Sequence, residues 1–153
     1  MRQAIECLAA QRATENGPTP ELLVYRDLME QSRQPEAEME WDNNYNTGHE
    51  FHIELVRASG NALLLDIYLP LRARYNILTR LARFYDKEWI LKTVDDHLAI
   101  LQAVIDRDPE RAHREMSEHL ERSYQSKLKI VGATRRTASF AGAASVIPPK
   151  PRQ

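Results

Sequence analysis

Apolar residues recur along the chain at intervals of three and four positions, the spacing of one face of an α-helix. The clearest stripe consists of Leu91, Val94, Leu98, Leu101 and Ile105. No alternating strand pattern competes with this periodicity. Six helices are predicted in this way, at residues 2–16, 20–31, 41–58, 62–85, 87–107 and 109–130. The pattern therefore predicts an all-α fold, an antiparallel bundle of about six helices.

Proline and glycine mark the breaks between these helices. Thr19 precedes Pro20 in the order expected of an N-cap and a first helical residue. Gly60 follows the third predicted helix and is typical of a C-terminal stop. Pro70 lies inside the fourth, where we expect a kink because proline removes a backbone donor and clashes with the preceding turn.

The composition changes near residue 132, after which Ala, Ser, Thr and Pro dominate. We expect residues 1–131 to form the folded domain and residues 132–153 to be a disordered basic tail. Residues 122–153 carry seven Lys or Arg and no Asp or Glu, although the net charge of the chain is −1. The folded part is therefore acidic, which argues against a DNA-binding surface on it.

Length and composition exclude several classes of protein. A chain of 153 residues is long enough for one domain with a real core. No apolar run approaches the roughly 18 residues needed to cross a bilayer, and the N-terminus lacks the apolar region of a signal peptide. The single Cys7 fits a reducing compartment. We expect a cytoplasmic protein without membrane contact.

Three histidines, His52, His97 and His119, each lie on the apolar stripe of a different predicted helix. One imidazole on such a stripe is usually a core side chain with a satisfied hydrogen bond. Three of them can converge if the helices pack side by side, and neutral imidazole is a common metal ligand. They are candidate metal ligands, with hydrogen bonding to a ligand or to one another as the alternative.

The sequences around these histidines resemble one known family. The matching passages are Phe51-His52 with Leu55 and residues 58–61, Asp96-His97-Leu98-Ala99-Ile100 with residues 103–109, and Ala112 with Met116-Ser117-Glu118-His119-Leu120. His97 follows His52 by 45 residues, and His119 follows His97 by 22. This order and spacing resemble the FCD domain, the C-terminal effector-binding domain of the FadR branch of GntR-type bacterial transcription regulators. The resemblance covers roughly residues 2–126.

The resemblance implies a helical bundle whose central cavity holds a divalent metal, often zinc or nickel, on one Asp and three His. Here the histidines are His52, His97 and His119. The Asp would precede the first histidine by four residues, and that position is Gly48. Three His with water is a sound zinc site, and His49 is a candidate fourth ligand. The remaining alternative is that no metal binds.

In the family, a small carboxylate effector often completes the coordination of the metal. Arginine can bind a carboxylate through two parallel hydrogen bonds. We therefore expect Arg74 and Arg80, with Asn76, to bind the effector from the fourth helix. Arg72 lies nearby. Arg72 and Arg80 are poorly in phase, so at most one or two of these side chains can point inward, and a solvated helix face is the alternative for all of them.

The implied function is a homodimeric sensor of a small organic acid and not an enzyme. DNA would be contacted only by a winged helix-turn-helix domain, which we do not find in this chain. One alternative is a stand-alone three-His metal-dependent hydrolase-like bundle, although Glu50 and Glu54 lie off the face of His52. Another is a structural dimerisation module. Asp95 or Asp96 could orient a ligand histidine.

Overall fold

A computed structural model describes the backbone of residues 1–33, 41–79 and 87–143, and the side chains of residues 1–33, 47–75 and 87–130. This part of the chain forms six helices without a strand. They are α1 (Arg2–Asn16), α2 (Pro20–Ser32), α3 (Trp41–Ala58), α4 (Ala62–Thr79), α5 (Lys87–Ile105) and α6 (Pro109–Ala143). The all-α fold predicted from the sequence is confirmed.

Helix α1 lies at the centre of the bundle and packs against α3, α4, α5 and α6, while α2 covers α3 and α5. Helix α1 carries three fully buried alanines, Ala9, Ala10 and Ala13, whose short side chains let neighbouring helices pack close to it. A large apolar cluster joins α1 to the helices around it, with Phe51 and Met116 among its members. Polar residues on the inner face of α1 are therefore placed beside the helices that carry the three histidines.

The caps of the predicted helices are present where the structure describes them. The Thr19 hydroxyl accepts a hydrogen bond from the backbone N–H of Leu22 at 3.2 Å and thereby caps α2. Gly60 follows α3 with a φ of 69°, the left-handed conformation that favours glycine. Pro70 lies within α4 on its exposed side.

The sixth helix is longer than predicted. Its expected end near Ile130 is wrong, because α6 continues to Ala143. Residues 132–143 are thus helical, whereas the sequence predicted a disordered tail from residue 132. Ala and Arg are good helix formers, and a single glycine such as Gly132 costs only about 1 kcal/mol in a helix. The predicted end of the fourth helix, at residue 85, lies outside the described residues.

Within the described ranges, no helix is both long enough and apolar enough to cross a membrane.

Candidate metal centre

The three predicted histidines meet in the middle of the bundle, His52 from α3, His97 from α5 and His119 from α6. All three are buried. The Nε2 atom of His97 lies 3.1 Å from Nε2 of His52 and 3.2 Å from Nε2 of His119. Imidazoles that bind one tetrahedral zinc at 2.0–2.1 Å place their nitrogens about 3.3 Å apart. Among the described residues, these three form a group whose ligand atoms all lie within 4.8 Å of one another.

Two of the imidazoles face a carboxylate on the side away from the cluster. Nδ1 of His52 lies 2.7 Å from Oε2 of Glu6, and Nδ1 of His119 lies 3.5 Å from Oδ2 of Asp96. A carboxylate at Nδ1 favours the tautomer that carries its proton there. The lone pair is then on Nε2, which points to the centre of the cluster in both rings.

Burial keeps the three imidazoles neutral. It lowers the pKa of His52 and His97 well below the usual range, and it also lowers the pKa of His119. The neighbouring imidazoles lower the pKa of His97 further, whereas Glu6 and Asp96 act in the opposite direction on the other two rings. Since a metal binds only the neutral imidazole, the cluster holds its ligands in the competent form.

Glu6 of α1 is the central acidic residue of the site, and it was not predicted from the sequence. Its side chain is fully buried. Tyr68 donates a hydrogen bond to its Oε1 at 2.9 Å, and Arg2 forms an ion pair with it. Burial by itself would raise the pKa of Glu6, but His52 and Arg2 hold it well below the usual range. One carboxylate therefore joins α1, α3 and α4.

Asp96 plays the corresponding part at His119. It is buried and forms a two-point contact with Arg122, with Nε and Nη2 of the arginine at 3.0 and 2.8 Å. Asp95, the other acid considered from the sequence, instead pairs with Arg33 at 3.3 Å on an exposed surface. A half-open groove of about 250 Å³ between α5 and α6 reaches Asp96 and His119 from solvent.

Gly48 faces the cluster. A Cβ atom built at this position would lie 2.8 Å from Cε1 and 3.3 Å from Nδ1 of His97. The ring of His97 thus occupies space that any larger side chain on α3 would take. His49, the candidate fourth ligand, is buried but is not part of the converging group, and its Nδ1 lies 3.8 Å from Oε1 of Glu50.

The predicted effector-binding residues are placed differently from the three histidines. Arg74 is exposed, while the side chains of Asn76 and Arg80 lie outside the described residues. Arg72 is buried, and its Nη2 donates to the carbonyl oxygen of His49 at 3.4 Å. Two positions correspond to about 200° around a helix, so Arg72 and Arg74 point to opposite sides. Arg72 follows Tyr68 by four positions, so both lie on the same face of the helix. This spacing could have indicated from the sequence that Arg72, rather than Arg74, points inward.

Residues 1–122 match the family model of the FCD domain. The chain belongs to the FCD domain family. Its fold is similar to that of the metal-free FCD domain of TM0439, a proposed transcriptional regulator, at 20% sequence identity and a TM-score of 0.72 over 86% of this chain and 89% of that one. It is also similar to E. coli McbR/YncC, at 17% identity and a TM-score of 0.73 over 85% of this chain and 62% of that one. No curated protein matches the chain.

Glu6→Gln is expected to weaken zinc binding by about 10- to 100-fold, because an amide does not hold Nδ1–H of His52 as a carboxylate does. Isothermal titration of zinc into the variant measures the effect. Glu15→Gln, on the exposed surface of the same helix, is the matched control and should bind zinc as the wild type does. A folded Glu6→Gln protein with unchanged zinc affinity would show that Glu6 does not orient the ligand.

Gly48→Ala is expected to weaken zinc binding, because the added Cβ forces the His97 ring to move. Gly48→Asp adds the same Cβ together with a carboxylate ligand, so it should bind zinc more tightly than Gly48→Ala. The two affinities are compared by the same titration, with circular dichroism as a check of folding. Equal affinities for the two variants would mean that a side chain at position 48 does not reach the ion.

Proposed function

We propose that this FCD domain is the effector-binding and dimerisation domain of a GntR/FadR-type bacterial transcription regulator, with a small carboxylate and a divalent metal bound at the three histidines. The observation that carries the proposal is the group of buried imidazoles His52, His97 and His119, with two of the rings backed by Glu6 and Asp96. Membership of the FCD family supports the same assignment.

The residues present fit a zinc or nickel ion. Imidazole nitrogen is a favoured ligand of both metals, and His52, His97 and His119 are neutral, buried and close together. The ion would supply a concentrated positive charge and open coordination positions at the cluster. Because all three protein donors are uncharged, an anion is the favoured partner for that charge in a buried site.

Sensing requires that the effector bind one arrangement of the domain better than another. The cluster suits this role since its side chains come from α3, α5 and α6, and since Glu6 links His52 to α1. A ligand at the cluster therefore contacts elements from most of the bundle. Reading DNA is assigned to a separate winged helix-turn-helix domain, which would report the change.

The surroundings of Glu6 favour binding over hydrolysis. A general base needs a carboxylate oxygen free to accept a proton from water. Both oxygens of Glu6 are engaged, by Tyr68 and Arg2 on one side and by His52 on the other. The carboxylate acts as an anchor for these groups, which supports a sensor in preference to a three-His hydrolase.

The wild-type chain is expected to bind about one zinc ion, and His97→Ala should lose it, because one of three protein ligands is gone. Elemental analysis after gel filtration gives the stoichiometry. His113→Ala, an exposed histidine on α6, is the matched control. In thermal-shift assays, small carboxylates should stabilise the zinc-loaded wild type but not His97→Ala. Absence of metal from the wild type, or stabilisation by neutral amides alone, would contradict the proposal.

The proposed homodimer has a candidate surface on α4. Leu63 and Ile67 are 68% and 49% exposed and lie one turn apart on the same face. Replacing both with Glu should convert the dimer to a monomer, because burying two carboxylates in an apolar contact is unfavourable. Light scattering coupled to gel filtration measures the mass. Val24→Glu, at a 56% exposed position of α2, should leave the dimer intact, and a double variant that remains dimeric would exclude this surface.

A further inference from the structure

A group of charged and hydroxyl side chains from α1, α4 and α6 adjoins the histidine cluster. Tyr75 on α4 is its organising ring: Arg2 and Lys127 each lie 4.5 Å from the ring centroid. Lys127 also donates hydrogen bonds to the hydroxyl groups of Tyr75 and Ser123, both at 2.7 Å. Glu6 and Arg72 belong to the same group. We call the four charged residues Arg2, Glu6, Arg72 and Lys127 the cationic cluster.

The cationic cluster contains three basic groups and one carboxylate. Glu6 is already paired with Arg2 and lies against His52. Among the described side chains, no carboxylate lies within ion-pair distance of Arg72 or Lys127, whose partners are a backbone carbonyl and two hydroxyl groups. Neither residue is therefore paired with a carboxylate within the described part of the chain, and the charge of Arg72 is not balanced there.

Arg72 shows most clearly that a partner is missing. It is only 6% exposed, and a guanidinium does not lose its proton in a protein. Its hydrogen bond to the His49 carbonyl is long, at 3.4 Å, and its buried Nε has no hydrogen-bond partner among the described residues. An unpaired buried charge is strongly unfavourable. A bound anion would satisfy both the charge and the unused donor.

Arg72 and Lys127 also interact through their charges. After burial itself, Arg2 and Arg72 contribute to lowering the pKa of Lys127 to about 7. A bound anion would favour the protonated form of Lys127.

We propose that the effector carries two anionic groups, one bound at the histidine cluster and the other by Arg72 and Lys127; this inference rests on the proposed function. The two positions are close along α6. Ser123, which contacts Lys127, follows His119 by one turn, about 6 Å along the helix axis. A small organic acid can therefore reach both. The second group can be a carboxylate or a phosphate, since both pair with arginine in the same manner.

Isothermal titration of the zinc-loaded chain with propionate, succinate, succinamide and phosphoglycolate tests the inference. In the wild type, succinate or phosphoglycolate should bind about tenfold or more tightly than propionate, the difference expected of an added charge-assisted hydrogen bond. Succinamide should not bind. Whichever of succinate and phosphoglycolate binds more tightly indicates whether the second group is a carboxylate or a phosphate.

Arg72→Gln and Lys127→Met should each remove the preference for the dianion, so that succinate binds only about as tightly as propionate. Arg74→Gln and Lys129→Met are the matched controls, because both side chains are exposed on the same helices, and they should behave as the wild type. Lys127 is only partly buried, so its variant provides the test should Arg72→Gln fail to fold.

Three results would overturn the inference. Equal affinities for propionate and the dianions in the wild type would remove the second anion position while leaving the proposed carboxylate sensor intact. A dianion preference that survives in Lys127→Met and Arg72→Gln would show that these residues do not bind the second group. Failure of every anion to bind would reject the proposed function together with the inference.

Discussion

A carboxylate in the middle of an apolar bundle is tolerated only if it is fully paired, and the arrangement of this domain depends on how Glu6 meets that condition. Its partners come from three helices: Arg2 from α1, His52 from α3 and Tyr68 from α4. A shift of any of these helices would leave a buried charge without a partner. The pairing of Glu6 therefore specifies the relative positions of the helices as well as the orientation of one imidazole.

From Glu6 the polar contacts run through the core without interruption. The successive side chains are Arg2, Glu6, His52, His97, His119, Asp96 and Arg122. Apolar side chains flank this row, with the Phe51 ring 5.2 Å from the ring of His97. In surroundings of low dielectric constant, each hydrogen bond is stronger and each unpaired group more costly than in water. The loss of one member therefore exposes its neighbours to that cost.

The fold and the histidines could be predicted because both are periodic signals. Each of His52, His97 and His119 lies on an apolar stripe, and helix packing brings such stripes together. Glu6 was missed since its partner His52 is 46 positions away in the chain, although its phase with the buried Ala9, Ala10 and Ala13 was visible. Whether Arg72 or Arg74 points into the bundle depended on which of them shares a helix face with one buried residue, Tyr68. The end of α6 could not be predicted from the sequence, because no residue between Gly132 and Ala143 prevents a helix from continuing.

The uncharged character of the three donors, together with the missing side chain at Gly48, has a thermodynamic consequence. In a four-ligand site with an aspartate, the protein itself supplies negative charge to the ion. At the three histidines no ligand atom is charged, so under the proposed function a bound cation and a bound anion would each make the other bind more tightly. Linkage requires the two enhancements to be equal. Under the proposed function, the response of the domain would therefore depend on the concentrations of both the free metal and the acid.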